Sequence, residues 1–124
     1  DNDAVINGSG PNIEGCFIVG AFSREDQRPA VQNFVTSFEK ANKAEPGTFD
    51  ALGYDSVSLL AEALKKGISP ESVKDNLHAI KDFEAVTGRI TVTPEGDVEK
   101  NAVILEIGKD GDKFAGKYKA TVNP

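Results

Sequence analysis

The apolar residues of this chain first cluster in a short stretch near its beginning. The stretch Ile13–Phe22 is apolar, rich in β-forming residues and interrupted by glycines. This pattern predicts a strand that is buried on both faces. Cys16, which lies inside it without a cationic neighbour, is therefore predicted to be a buried and unreactive thiol. Residues 1–10 hold mostly Asp, Asn, Gly and Ser, which predicts a loop or a frayed end.

The next part of the chain has the period of an amphipathic helix. We expect this helix to begin near Pro29, whose fixed φ suits a first helical turn, with Asp26 close to its exposed N–H groups. We expect it to end within residues 44–47. Its apolar stripe has the spacing i, i+3, i+4 and i+7 and consists of Val31, Phe34, Val35 and Phe38.

Two more helices are predicted after it. The first covers about residues 49–66 and is apolar over a wide arc, so we expect neighbours to cover it on more than one side. The second begins at Ser69, because Pro70 and Glu71 follow in the order of a cap, a first-turn proline and an acidic first turn. Its predicted buried stripe consists of Val73, Leu77 and Ile80.

The last third of the chain returns to the pattern of strands. Three stretches separated by turn residues predict three strands, namely Thr87–Thr93, Ala102–Ile107 and Phe114–Val122. The segments 94–97 and 108–112 hold Gly and Asp and predict tight turns. A strand buried on both faces needs partners on both edges, which these hairpins cannot all supply. We therefore expect strands outside this sequence to complete the sheets.

Composition excludes several classes of protein. The chain has 124 residues, enough for one domain at most, and its 39% hydrophobic and 27% charged residues are typical of a globular protein. The 14 basic and 20 acidic residues give a net charge of -6, which argues against nucleic acid as a partner. The sequence contains no methionine, which predicts a processed product or an excised piece.

The side chains that catalysis needs are scarce. One histidine and one cysteine exclude a zinc site built from His and Cys alone. His78 is placed in the middle of the third helix, and we interpret it as a solvated or capping residue. The acidic turns at residues 95–97 and 110–112 lack the ligand order of a calcium loop and are typical of hairpins. No glycine motif for phosphate binding is present.

Several stretches of the sequence resemble a known family. They are Gly20–Ser23, Arg28–Val35, Gly47–Leu64, Ile80–Val92, Pro94–Asp97 and Thr121–Pro124. Together they resemble the C-terminal third of a type I solute-binding protein. More narrowly, they resemble the leucine/isoleucine/valine-binding branch, whose members are the receptors of branched-chain amino-acid ABC importers. The resemblance covers nearly the whole chain from Ile13 onward.

The resemblance implies an α/β fold with two lobes, each with three α/β/α layers, of which this chain is a C-terminal fragment. About residues 11–22 and 101–124 are expected in one lobe, and about residues 24–100 in the other lobe and the hinge. Crossings between the lobes are expected near Ser23–Asp26 and Val98–Ala102. The implied partners are the N-terminal remainder of the same protein and a membrane permease.

The resemblance also implies a function without chemistry. The expected function is capture of a branched-chain amino acid or a similar solute by hinge closure, with no cofactor. Phe49 is expected to form an aromatic wall of the ligand site, with the alternative that it is a core residue anchoring its helix. Asp1 is expected to pair with the ammonium group of the ligand. The implied location is periplasmic or extracellular, with a lipid anchor on an absent N-terminus as one option.

Two other functions stay open at this point. The same fold can serve as the ligand-sensing domain of a signalling receptor. A small enzyme that uses Asp97 or Asp112 from the acidic turns is the alternative from a different class. The residues do not identify the ligand, because relatives with similar endings bind aliphatic amino acids, aromatic acids, amides or urea-like solutes.

Overall fold

The computed structural model describes residues 2–124, which form helices and two antiparallel sheets. The helices are α1 (Asn2–Ser9), α2 (Pro29–Asn42), α3 (Thr48–Leu64) and α4 (Pro70–His78), with a 3-10 turn at Pro11–Ile13. The strands are β1 (Phe17–Gly20), β2 (Phe83–Ala85), β3 (Gly88–Val92), β4 (Val98–Lys100), β5 (Ala102–Asp110) and β6 (Lys113–Val122). The strand orders are β1-β5-β6 and β2-β3-β4.

The first sheet joins the two ends of the chain. Strand β1 pairs antiparallel with β5, so that Phe17 lies opposite Glu106 and Gly20 lies opposite Val103. Strands β5 and β6 form a long hairpin with a bulge in the pairing next to Leu105. Because β1 and β5 are neighbours, helices α2, α3 and α4 and the whole second sheet form an excursion that leaves the first sheet after β1 and returns to it at β5.

The main apolar core lies within this excursion. The ring of Phe34 in α2 lies 5.8 Å from that of Phe22, 5.7 Å from that of Phe38 and 5.0 Å from that of Tyr54, measured between centroids. Aromatic pairs at these spacings add to the free energy gained from burial. The other buried members of this cluster are Val31, Ala51 and Val86. Helices α2 and α3 are thus held to each other and to the β2–β3 turn by one group of side chains.

The prediction of a loop over residues 1–10 is wrong, because residues Asn2–Ser9 form α1. Ile6 in this helix is only 1% exposed. The side chain of Ile6 packs against β6, since a methyl group added at Gly116 of that strand would lie 3.6 Å from the side chain of Ile6. Burial of this one aliphatic residue against the sheet explains the helix, since packing often decides the state of segments with weak local preference.

The prediction of a strand buried on both faces is also wrong for the part of the protein described here. In β1, Phe17 is 60% and Val19 is 69% exposed. Cys16, predicted to be buried, is exposed just before the strand. Phe17 and Val19 lie on the same face of β1, and the physical reason for their exposure is that no element among residues 2–124 covers this face.

Several predicted boundaries need correction. The segment 108–112 was expected to be a loop, but β5 continues to Asp110, which pairs with Lys113, so that the turn is only two residues long. His78 is the last residue of α4 rather than a residue in its middle. Strands β2 and β4 were not predicted, since three residues are too few to show a period.

The three predicted helices from residue 29 onward are present, but α3 is covered on one side only. Its buried residues Ala51, Asp55 and Ala63 face the rest of the chain. Val57, Leu60 and Leu64 on its other side are exposed. Among the residues described, the second neighbour expected for the wide apolar arc is therefore missing.

Replacing Phe34 with Ala should reduce the free energy of unfolding of this chain by about 3–5 kcal/mol. The reason is that three neighbouring rings and the surrounding aliphatic core lose their packing contacts with the ring of Phe34. Urea denaturation followed by circular dichroism measures the change. The matched control is Phe49→Ala, which removes an exposed ring from α3 and should change stability by less than about 0.5 kcal/mol. Equal losses for the two variants would contradict this description of the core.

Two glycine-to-alanine variants should shift stability in opposite directions. Gly53 lies inside α3 with no atom within 4 Å of an added Cβ. Alanine there should stabilise the chain by about 0.5–1 kcal/mol, since it lowers the entropy lost by the helix. Gly88 has φ +128 and an added Cβ would lie 3.0 Å from Asn101. Gly88→Ala should therefore lower the midpoint of thermal unfolding, and a rise in that midpoint would show that this position tolerates a side chain.

Candidate functional site

The segment 23–28 connects the first sheet to α2 and is held by its own side chains. Asp26 is buried, and its carboxylate accepts the backbone N–H of Arg28 at 2.9 Å and the Nε–H of the same residue at 2.8 Å. The amide of Gln32 donates to the backbone oxygens of Arg24 and Asp26 at 3.0 and 2.7 Å. The connector therefore has a defined conformation, although its sequence is mostly charged and polar.

One side chain of the connector also reaches the first sheet. Glu25 accepts the backbone N–H of Tyr118 at 2.8 Å. Tyr118 lies in β6, which is an edge strand of that sheet within this chain. A carboxylate that accepts an N–H at a strand edge replaces a missing ladder partner. Glu25 thus links the connector to the sheet that the chain leaves at β1.

The turn between β2 and β3 is held by one charged side chain of α3 and by another at the end of the connector. Asp55 in α3 is 3% exposed, and its two carboxylate oxygens accept the N–H groups of Val86 and Thr87 at 2.8 and 2.7 Å. From the end of the connector, directly before α2, the guanidinium of Arg28 donates to the backbone oxygens of Ala85 and Val86 at 3.3 and 2.9 Å. Four backbone groups of this two-residue turn and the residue before it are therefore paired with ionic side chains.

The same turn reaches the second connection between the sheets. The ammonium group of Lys100, at the end of β4, donates to the hydroxyl of Thr87 at 3.0 Å. Burial lowers the pKa of Lys100 below its ordinary value, and the charge of Asp55 acts in the opposite direction. Asn101 is the single residue between β4 and β5, and it accepts the N–H of Arg89 at 2.8 Å and pairs with the amide of Asn123.

A small cavity lies where the connector, the start of α3 and the first sheet meet. It has a volume of about 150 Å³. Its lining comes from the connector (Ser23, Arg24, Glu25), from the start of α3 (Gly47, Thr48), from the first sheet (Leu105, Asp110, Ala115, Gly116), and from Phe22 and Pro46. The cavity is therefore bordered by both parts of the chain that the connector joins.

Phe49 lies at the edge of this region. It is the second residue of α3, directly after two residues that line the cavity, and its side chain is 71% exposed. Asp50 fixes the start of the helix, because its carboxylate accepts the N–H of Gly47 at 2.8 Å. In this chain Phe49 does not anchor its helix through a buried core. Asp1, the other predicted site residue, lies outside the described residues.

Three residues that organise this region were not predicted from the sequence, namely Asp55, Thr87 and Lys100. Asp55 carried a signal, since it lies at i+4 from Ala51 and eight residues before Ala63, in the middle of the buried row of α3. An acidic residue on such a row predicts a buried hydrogen-bond partner. No comparable signal marks Lys100 or Thr87, whose contact joins the end of β4 to the β2–β3 turn.

The other cavities and side-chain groups do not point to a particular ligand. A groove of about 540 Å³ crosses the outer face of the second sheet and is lined mainly by charged and amide side chains, among them Arg89 and Glu99. Over residues 2–124, His, Cys, Asp and Glu side chains form no group of three or more that could hold a metal ion. No helix in that range is long and apolar enough to cross a membrane.

Solved structures similar to this chain are solute-binding proteins. A leucine binding protein, LivK, from Thermotoga maritima has a TM-score of 0.80 and 23% identity over 98% of this chain and 35% of its own. LivJ from Streptococcus pneumoniae, a branched-chain amino acid transporter substrate binding protein in complex with isoleucine, has a TM-score of 0.71 and 30% identity over 83% of this chain and 30% of its own.

A third similar structure has a different kind of ligand. The solute binding protein of an ABC transporter from Rhodopseudomonas palustris, in complex with 3,4-dihydroxy benzoic acid, has a TM-score of 0.73 and 26% identity over 98% of this chain and 34% of its own. This chain therefore spans about a third of the length of the structures that it matches. No curated protein sequence matches it significantly.

The sequence profile of one protein family gives the same assignment. It is described as periplasmic binding protein, and it matches residues 2–112, which is most of the chain. The α/β fold class predicted from the sequence is confirmed by the structural matches. The chain belongs to the periplasmic binding protein family.

Proposed function

We propose that this chain is part of the substrate-binding component of an ABC importer, which captures a branched-chain amino acid or a similar small solute by hinge closure. The observation that carries the proposal is the pairing of β1 with β5 in a protein of this family. The chain leaves one sheet, builds a separate helical body and returns to the same sheet, and the cavity beside Phe49 borders both parts.

We assign about residues 11–22 and 101–124 to one lobe and about residues 24–100 to the other lobe and the hinge. The pairing supports this division, because among residues 2–124 the strands β1, β5 and β6 pair only with one another, as do β2, β3 and β4. The two crossings then fall in the connector 23–28 and at Asn101. Both are short, as a hinge between two rigid bodies requires.

The rest of a longer polypeptide is the partner that we propose for the exposed apolar surfaces. Phe17 and Val19 on β1 and the row Val57, Leu60 and Leu64 on α3 are exposed. Apolar surfaces of this kind, together with a strand edge that lacks a partner, are typical of an interface. The structures that this chain matches are about three times as long, so that the additional segments of such a protein can cover both surfaces.

The function proposed for the complete protein is binding without chemical conversion of the solute. Closing the lobes removes water from the solute and strengthens the polar contacts that hold it. The closed form would then deliver its solute to a membrane permease. This role places the protein outside the cytoplasmic membrane, in the periplasm or at the cell surface. Leucine binding protein LivK and the isoleucine-bound LivJ support an amino-acid ligand.

Calorimetry can test this division of the site. Titration of leucine, isoleucine or valine into the 124-residue chain should show no saturable binding, because most of the groups that hold the solute are expected elsewhere in the protein. The complete product of the gene that encodes this chain should bind at least one of these amino acids. Micromolar binding by the 124-residue chain alone would refute the division, and failure of the complete protein to bind any of them would refute a branched-chain amino acid as its solute.

Phe49→Ala in the complete protein should weaken binding of that amino acid about 5- to 100-fold, because a ring that closes over an aliphatic solute buries large apolar area. Isothermal titration measures the dissociation constant. Ile68→Ala is the matched control, since Ile68 is exposed and lies between α3 and α4, far along the chain from the cavity lining. Unchanged affinity in Phe49→Ala would remove Phe49 from the site.

A further inference from the structure

We propose that Asp55 is a positioning residue. It fixes the β2–β3 turn, which both crossings between the lobes contact. This inference rests on the hinged function proposed above. It goes further, because it says which groups hold the hinge segments in register with each other. The turn consists of Val86 and Thr87, between β2 and β3, and Ala85 is the strand residue that leads into it.

The turn contacts the first crossing through Arg28. The guanidinium of Arg28 binds the turn by two backbone oxygens, and its Nε–H is held by Asp26 inside the connector. The orientation of the connector relative to the turn is therefore set by a fork of three donors on one rigid group.

The turn contacts the second crossing through two pairs of groups. The hydroxyl of Thr87 accepts from Lys100 at 3.0 Å, and Thr87 is 2% exposed. Two residues further on, the N–H of Arg89 donates to Asn101 at 2.8 Å. Gly88 allows this approach, because an added Cβ there would lie 3.0 Å from the side chain of Asn101.

Asp55 decides whether the turn can serve both crossings. Its two oxygens take the N–H groups of Val86 and Thr87 from inside the helical body. Only a carboxylate offers two acceptors in this arrangement, since an asparagine would oppose one of the N–H groups with its own NH₂ group. A buried donor left without an acceptor is costly, so the amide variant should release the turn.

Hydrogen–deuterium exchange of the complete gene product tests the proposal without any solute. In Asp55→Asn, the amides of Val86 and Thr87 should exchange about tenfold faster or more. The amides of residues 24–28 and 98–102 should also exchange faster, because both crossings lose their ordered contact with the turn. Faster exchange at Val86 and Thr87 with unchanged crossings would overturn the proposal and leave Asp55 a purely local role.

Asp50→Asn is the matched control on the same helix. It makes the same chemical change at a carboxylate that accepts one backbone N–H, that of Gly47. Its effect should stay at the start of α3 and leave residues 85–87 and both crossings unchanged. Acceleration at the crossings in this variant would show that they respond to any loosening of α3, and the proposal would fail.

A second variant covers the case in which Asp55→Asn unfolds the protein. Thr87→Val keeps the shape of the side chain but removes the acceptor for Lys100. Residues 98–102 should then exchange faster than in the unmodified protein, while residues 24–28 should keep their original rate. An unchanged exchange rate at residues 98–102 would refute the proposed contact between the turn and the second crossing. Because exchange is read without solute, a protein that binds no amino acid but shows the coupled exchange would refute the proposed function and keep this inference.

Discussion

The buried carboxylate of Asp55 is the interaction on which the arrangement of this chain depends. It brings a negative charge into the side of α3 that otherwise buries small residues such as Ala51. Such a charge is tolerated only where donors surround it, and two consecutive backbone N–H groups do so. Apolar contacts hold α2 against α3, but they are non-directional and do not fix the orientation of the β2–β3 turn. The hydrogen bonds of Asp55 are directional and determine where this turn lies. Because that turn leads into β3 and β4, the position of the second crossing follows from it.

Helix α3 contributes to the packed core of this chain on one side only. One side is packed and holds Asp55, while the other presents Val57, Leu60 and Leu64 to solvent. The first sheet repeats this division at β1, where one edge is paired with β5. A protein that buries only part of its apolar surface gains less from folding than its length allows. The organisation of the crossings therefore relies on directed polar contacts, which do not need a large core.

Sequence reasoning succeeded where a period was long enough to read. Helices α2 and α3 and the hairpin of β5 and β6 followed from apolar spacing, and the start of α4 followed from the cap at Ser69, which accepts the N–H of Ser72 at 3.2 Å. It failed for α1, whose helical state depends on the burial of Ile6, and for Cys16, whose exposure depends on which strands lie beside β1. Long-range contacts decided both cases, and local spacing carries no trace of them.

The difference in length between the crossings has a mechanical consequence. Asn101 is the only residue between β4 and β5, whereas the first crossing is a connector of six residues, 23–28, with its own internal hydrogen bonds. A single residue offers two backbone torsions for bending, so in the hinge proposed above the second crossing would define the axis and the first would follow it. Within the connector, Glu25 contacts Tyr118 of the first sheet, whereas Arg28 contacts the turn that Asp55 holds. Rotation of one sheet against the other would therefore strain the connector between Glu25 and Arg28, where the chain is attached to both bodies.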